Sequence, residues 1–287
     1  MLDLTVDQSG SGDYCTIKEA LEAVPYEYEA TIVVRGGVYR ERLFSDKRAL
    51  TIRGEGEVVI TASSGAYDVI DAKKKRGTFR SATAFFSGIS VTLEHLTIIN
   101  EADSTRGQAI ALSLDAEHCR CIDVVLISGQ DTLFIGPLPE VEREADGFYG
   151  PRHRLPRRPV KLLYEGGSIE GSVDFIFGGG DGRFVHTEIC SVDAGWVCAP
   201  STMESGAGFV FERCLFTHRP GVDPGSVFLM RPWRAGARVE FVDCEFKGHI
   251  NTALADGWPG QRPGEGTLIH RGCTFVDART NARPPDA

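Results

Sequence analysis

The opening segment carries a helical period, and beyond it the pattern changes to that of strands. Ile17, Ala20, Leu21 and Val24 recur at i, i+3, i+4 and i+7, Thr16 and Glu19 read as a T-x-x-E capping box, and Pro25 follows as a stop. This predicts an amphipathic helix over 16–24. Further on, Thr31-Ile32-Val33-Val34 ends at Gly36-Gly37, and Leu50-Thr51-Ile52-Arg53 ends at Gly54-Glu55-Gly56. Glycines at strand ends suit tight turns, because they accept a positive φ.

The second half repeats. Phe209-Val-Phe-Glu-Arg-Cys214-Leu-Phe216, Val239-Glu-Phe-Val-Asp-Cys244-Glu-Phe246 and Leu268-Ile-His-Arg-Gly-Cys273-Thr-Phe275 resemble one another, with the cysteines 30 and 29 residues apart. Weaker copies lie at 91–98, around Val124, at 162–169 and at 184–190. A short strand, a turn and a second short strand recurring at such intervals indicate a solenoid, whose equivalent positions stack into an interior ladder. Chance similarity among β-rich segments is the competing explanation. Stacked coils need an end cap, and helix 16–24 suits that task. The expectation is an all-β chain with one domain over 1–287: a parallel β-helix with an N-terminal capping helix. One interval breaks the period. From Phe134 to Val160 the chain is rich in Gly and Pro and carries Arg152, His153, Arg154, Arg157 and Arg158, which predicts a long loop insertion between two coils.

Composition narrows the function classes. With 42% hydrophobic and 25% charged residues, the chain has ample material for a core, and 33 glycines with 14 prolines among 287 residues fit many turns. A net charge of −9 argues against nucleic acid as a partner. No apolar run approaches the roughly 20 residues that span a bilayer, so no membrane partner is expected. The first residues, Met-Leu-Asp-Leu-Thr-Val, show no basic and then apolar leader pattern. Eight cysteines form no C-x-x-C pair, and reduced thiols are the simpler reading. Both features lead to the expectation of a cytoplasmic location, or a secreted one if a leader has been trimmed. Oligomeric state is left open.

There is no G-x-S-x-G elbow, Walker loop, H-E-x-x-H or zinc-spaced His/Cys set, so the reactive groups of an enzyme here are carboxylates. Two acids stand in unusual company: Asp131 within Gly129-Gln130-Asp131-Thr132-Leu133-Phe134, and Asp174 in the middle of the apolar run Val173-Asp174-Phe175-Ile176-Phe177. Either points outward, or is buried and paired, since an unpaired buried charge costs several kcal/mol. On successive coils of a solenoid they face each other.

Gln130-Asp131-Thr132-Leu133, Gly171-Ser172-Val173-Asp174-Phe175-Ile176-Phe177-Gly178 and Arg231-Pro232-Trp233-Arg234 resemble, in that order, three signature blocks of the pectinesterases (pectin methylesterases). The stretch from Asp7 to Ala20 and Gly107-Gln108-Ala109-Ile110-Ala111-Leu112 are similar to that family as well, so the resemblance spans nearly the whole chain. It implies a right-handed parallel β-helix of bacterial type. It further implies hydrolysis of methyl esters on galacturonate units of pectin or oligogalacturonides, with release of methanol. By the same resemblance Asp174 is the nucleophile, Asp131 the general acid/base, Gln108 and Gln130 the oxyanion donors, Arg231 the group that holds and charges Asp174, and Trp233 a platform for a sugar ring. No metal and no cofactor enter this scheme. Short oligogalacturonides are the expected substrates in a cytoplasmic setting.

Taken in isolation, Arg231-Pro232-Trp233 also reads as a structural corner with Trp233 in the core, and Gln108 as a solvated strand residue. A calcium-dependent pectate-type lyase on the same fold and a non-catalytic carbohydrate-binding β-helix are the alternative functions. The arginines of the insert are expected to border the groove and attract galacturonate carboxylates. Met230, and a glycine in the stretch Leu-Leu-Tyr-Glu-Gly-Gly-Ser-Ile leading to Asp174, depart from the family pattern, which usually has glycine before the arginine and often cysteine in the coil preceding the nucleophile.

Overall fold

A computed structural model of the chain describes residues 1–72, 74–258 and 266–276. Strand pairing is parallel throughout, apart from one small antiparallel hairpin formed by Val69–Asp71 and Lys74–Lys75. Each coil passes through three strands, so the coils build three faces around one interior: a parallel β-helix.

The first face contributes the longest ladder. Leu4, Ile32, Ile52, Leu93, Cys121, Tyr164, Phe184, Phe211, Phe241 and His270 stand in register on successive coils. Phe184 stacks on Phe211 with centroids 4.5 Å apart, and Phe211 on Phe241 at 5.2 Å. Such pairs add about 0.5–1.5 kcal/mol beyond their burial. The second face repeats the arrangement through Ile60, Ile98, Leu126, Ile169, Ile189, Phe216, Phe246 and Phe275. The repeats seen around Cys214, Cys244 and Cys273 are therefore the corners between these two faces.

That corner has a reason visible in the backbone. His95, Asp123, His186, Arg213 and Asp243 have φ between +49° and +53°, and Gly166 and Gly272 take +69° and +63° at the matching places. A left-handed residue turns the chain sharply between two strands, and Asp and His are among the non-glycine types that tolerate it. Gly167, the residue after Gly166, is required by contact. A Cβ there would lie 1.9 Å from the Val124 carbonyl oxygen.

The helix runs Ile17–Ala23, within the range expected, and buries Ile17, Ala20 and Leu21 against the first coil. Seven residues do not hold a helix alone in water, so this burial stabilises it. Its capping differs from the box predicted. Thr16 Oγ1 accepts from the Glu19 amide at 3.2 Å, but the Glu19 carboxylate meets the Thr16 hydroxyl rather than a backbone donor. The free amides of Ile17 and Lys18 are satisfied instead by Glu41, at 3.1 and 2.9 Å. A carboxylate from a later coil thus fastens the cap to the solenoid.

The insertion begins slightly later than expected. Phe134 and Ile135 belong to the strand Leu133–Ile135, and the irregular segment spans 136–160 before the strand Lys161–Glu165.

Candidate active site

The third face carries the site. Leu43, Ala84, Leu112, Leu133, Ile176, Cys198 and Met230 form its inward ladder. The outward row holds Phe85, Phe134, Phe177 and Ala199, which are buried all the same, because Phe79, Leu138 and Trp233 cover them. An apolar floor on the outside of a solenoid face is therefore roofed by a 3-10 turn (Thr78–Arg80) and by the insertion.

Just before this floor both relevant coils bend in the same way. Gln130 bridges Val173, and Leu133 pairs with Ile176, so Asp131 and Asp174 occupy matching positions one coil apart. The Asp131 amide donates to the Val173 carbonyl at 3.1 Å. Between the pairs Val173–Trp196 and Ile176–Cys198 the strand Ser168–Gly178 carries one residue more than its partner, a β-bulge that turns Phe175 into the core and Asp174 toward the cleft. Asp131 is 7% and Asp174 5% exposed.

Arg231 meets Asp174 in a two-point pair, Nε to Oδ1 at 3.1 Å and Nη2 to Oδ2 at 2.5 Å. Its guanidinium lies between two indoles, 3.6 Å from the Trp196 centroid and 3.7 Å from that of Trp258. Both rings fix the plane of the fork and offer their negative faces to a desolvated cation, each contact worth on the order of 1–2 kcal/mol.

The two carboxyls are thereby made unequal. Burial, and next the negative charge of Asp174, push Asp131 well above the ordinary carboxylate value; Arg231 and the Gln130 amide oppose this. Burial also raises Asp174, but Arg231 counters it through both hydrogen bonding and charge. Of the two alternatives open for Asp174 in the sequence, outward-pointing or buried and paired, the structure shows the second. Arg231 thus favours the anion at Asp174, while the charge of Asp174 disfavours a second anion at Asp131.

These groups open onto a cleft of about 240 Å³ that is also lined by Gln108, Gln130, Phe79, Phe148, Trp233 and Trp258. Of the two glutamines, Gln130 precedes Asp131 directly, while Gln108 stands one coil earlier, where Ala109 donates to the Gln130 carbonyl at 3.0 Å. Trp233 lines the cleft but is no isolated platform. It packs against Phe79, Phe148 and Phe177, with centroids 6.5, 5.8 and 5.8 Å away. Met230, which departs from the family pattern, points away from the cleft. It is 2% exposed within the core ladder, so its bulk does not crowd the site.

All six residues singled out from the sequence, Gln108, Gln130, Asp131, Asp174, Arg231 and Trp233, are thus brought to one place. The expectation for the basic run is overturned. Arg152 pairs with buried Asp115 at 2.5 Å, Arg157 with Glu140 at 2.6 Å and Arg158 with Glu117 at 3.2 Å. Arg152 and Arg158 hold the insertion to the solenoid, Arg157 pairs within the insertion itself, and Arg152, Arg154 and Arg157 border a different hollow. The arginines that do reach the cleft are Arg143 and Arg234. Trp196, Trp258 and Phe148 were missed as well. The one signal available for the indoles was scarcity, since the chain has three tryptophans and all three gather here.

Comparison with known proteins accords with this geometry. A pectinesterase family profile matches residues 3–144. Pectinesterase 31 of Arabidopsis thaliana is 30% identical over 246 residues, an alignment covering 82% of this chain and 70% of the relative. The chain belongs to the pectinesterase family. Pectinesterase A of Emericella nidulans, another relative, is 29% identical over 283 residues, covering 96% of this chain and 79% of its own. Among solved structures, the pectin methylesterase of Yersinia enterocolitica superposes with a TM-score of 0.74 at 25% identity, covering 92% of this chain and 91% of that one. The carrot enzyme gives 0.80 at 23% identity over 99% and 86%. These pectinesterase folds are right-handed parallel β-helices, as is this chain.

Proposed function

We propose that this pectinesterase removes methyl esters from galacturonate units of pectin or oligogalacturonides, with Asp174 as nucleophile and Asp131 as general acid and base. The observation that carries the assignment is the asymmetry of the pair: two carboxyls at one register position, of which one alone is clamped by a guanidinium. A weak nucleophile such as a carboxylate must be ionised, aimed and partly desolvated, and the Arg231 fork meets these requirements for Asp174.

In the first half-reaction an Asp174 oxygen bonds to the ester carbon, and the carbonyl electrons move onto oxygen. The amides of Gln108 and Gln130 donate to that oxyanion; one such fixed donor is worth about 3 kcal/mol in the transition state. The carbon–methoxy bond then breaks, Asp131 passes its proton to the departing oxygen, and methanol leaves. Asp131, now ionised, takes a proton from water as the water oxygen attacks the galacturonyl carbon. The bond to Asp174 breaks, galacturonate is released as the free acid or its anion, and both carboxyls return to their starting states.

The location is inferred to be cytoplasmic, with short oligogalacturonides as natural substrates. Eight cysteines that are all unpaired support this reading, since thiols persist in reducing compartments. Methanol release from methylated oligogalacturonides tests the activity. The Asp174→Ala enzyme should produce none above background, and rates equal to wild type would defeat the assignment. Faster turnover of long pectin than of short oligomers would count against the intracellular role.

A further inference from the structure

Gln108 sits in a stretch without strand pairing. Residues 101–110 lie between the strands Thr97–Asn100 and Leu112–Ile122, and Gly107 among them takes φ of +76°. Among the described residues the side-chain amide of Gln108 has no hydrogen-bond partner, so its aim depends on how the backbone beneath it is held. The Gln108 carbonyl accepts from the Ala66 amide at 2.8 Å, and the next amide, that of Ala109, donates to the Gln130 carbonyl at 3.0 Å. The segments at Ala66 and Ile110 therefore set where Gln108 stands.

One buried side chain grips both segments. Asn100 is 3% exposed. Its Nδ2 lies 3.1 Å from the Ser64 carbonyl, 3.0 Å from that of Ser81 and 3.0 Å from that of Ile110. Its Oδ1 accepts from the amides of Ser64 at 3.1 Å and Ala102 at 3.2 Å. Three carbonyls around the nitrogen and two amides around the oxygen fix which end of the side chain is which. Two N–H groups serve three acceptors, so one is shared. Ser81 closes the circuit. Its Oγ accepts from the Ile110 amide at 3.0 Å and donates to the Thr78 carbonyl at 2.7 Å.

We propose that Asn100 is a positioning residue for the reaction, which aims the Gln108 amide at the oxyanion without itself touching substrate. This rests on the esterase reading above, in which Gln108 is an oxyanion donor. A fixed donor speeds the reaction only when it already points at the developing charge. A displacement of about 1 Å can cost about a hundredfold in rate. Asp68 anchors the same loop a second time, accepting from Arg106 Nε and Nη2 at 2.9 and 2.7 Å and from the Gly65 amide at 2.9 Å. With that clamp intact, loss of Asn100 loosens the loop rather than releasing it.

The test is a cycle of kcat and KM for methanol release from one methylated oligogalacturonide. Wild type, Asn100→Ala, Gln108→Ala and the double variant are compared, each at a temperature where circular dichroism shows it folded. Gln108→Ala should lose about a hundredfold in kcat. Asn100→Ala should lose about tenfold or more in kcat with KM within about twofold, yet cost less than about threefold where Gln108 is already Ala. Equal losses in the two backgrounds would show a general structural role and overturn the proposal. Ser81→Ala, which removes one bond to Ile110, should show the same pattern with a smaller loss, and it carries the cycle if Asn100→Ala does not fold. Amide hydrogen exchange supplies a readout that needs no turnover. Exchange at Ala66 and Ala109, whose bonds frame Gln108, should quicken about tenfold in the same variant relative to exchange at Asp131. An unchanged ratio overturns the proposal. If wild type releases no methanol, or Gln108→Ala keeps the wild-type rate, the esterase reading fails instead, and the exchange ratio still decides whether Asn100 holds Gln108.

Discussion

Asp131 and Asp174 sit at matching positions on adjacent coils, and each adopts a left-handed backbone, with φ of +63° and +50°. The shared conformation turns both side chains out of the β ladder at the same point, so that two acids face one cleft. Because Asp174 carries the charge that helps raise Asp131, the coupling can be tested by its removal. In Asp174→Asn the Asp131 carboxyl should titrate at lower pH than in wild type, as followed by carbon NMR or difference infrared spectroscopy. An unchanged titration would mean that the two groups do not interact.

The rate should depend on pH as a bell. Asp174 must be ionised and Asp131 protonated, so activity is lost below the first ionisation and above the second. Arg231 lowers the Asp174 value. Replacing it by Lys removes the two-point fork and the sandwich between Trp196 and Trp258, and should shift the acid limb of kcat upward in pH while lowering the maximum. A variant whose acid limb stays in place would show that Arg231 does not govern the nucleophile.

The insertion is tied down by a partly buried ion pair. Arg152 is the charged partner of Asp115, whose carboxyl is raised by burial and lowered by that arginine. Arg152→Met should destabilise the protein by about 3 kcal/mol, because it strands a buried carboxylate. Adding Asp115→Leu should recover most of that loss in urea unfolding. Since Arg143 and Phe148 of the insertion line the cleft, the single variant should also raise KM. A double variant no more stable than Arg152→Met would argue against the pair as the anchor.

How much of this was legible in the sequence depends on the kind of contact. The coils announced themselves because each corner reuses one local device, a left-handed His, Asp, Arg or Gly followed by an inward residue such as Val124, Cys214 or Cys244. The carboxyl pair was legible because Asp174 interrupts an apolar strand, where a charge needs a partner. The arginines of the insertion were misread for the converse reason. Asp115 and Glu117, the partners of Arg152 and Arg158, lie 37 and 41 residues earlier, and a run of basic residues does not show which acids will fold against it. The Arg231 sandwich was hidden in the same way, since Trp196 and Trp258 reach it from two other coils.

Stability at low pH should carry the mark of His249. Both ring nitrogens are buried without a partner among the described residues, His218 lies 4.8 Å away, and burial, followed by the His218 charge, lowers its pKa to about 4. The unfolded chain therefore binds a proton that the folded chain refuses between about pH 6.5 and 4. Stability should fall as the pH drops through that window, by up to about 3 kcal/mol from this residue. His249→Phe should flatten the slope in unfolding measured at pH 4.5 and 7. An equal slope in the variant would place the acid sensitivity elsewhere.

The most direct test of the paired-carboxyl mechanism is a cycle of methanol-release rates for wild type, Asp174→Asn, Asp131→Asn and the double variant on one methylated oligogalacturonide. Groups that act as a unit are strongly non-additive. Each single variant should lose at least about a thousandfold in kcat, and the double variant should be no slower than the worse of the two. An Asp174→Asn enzyme within about tenfold of wild type, or single losses that multiply in the double variant, would contradict the account.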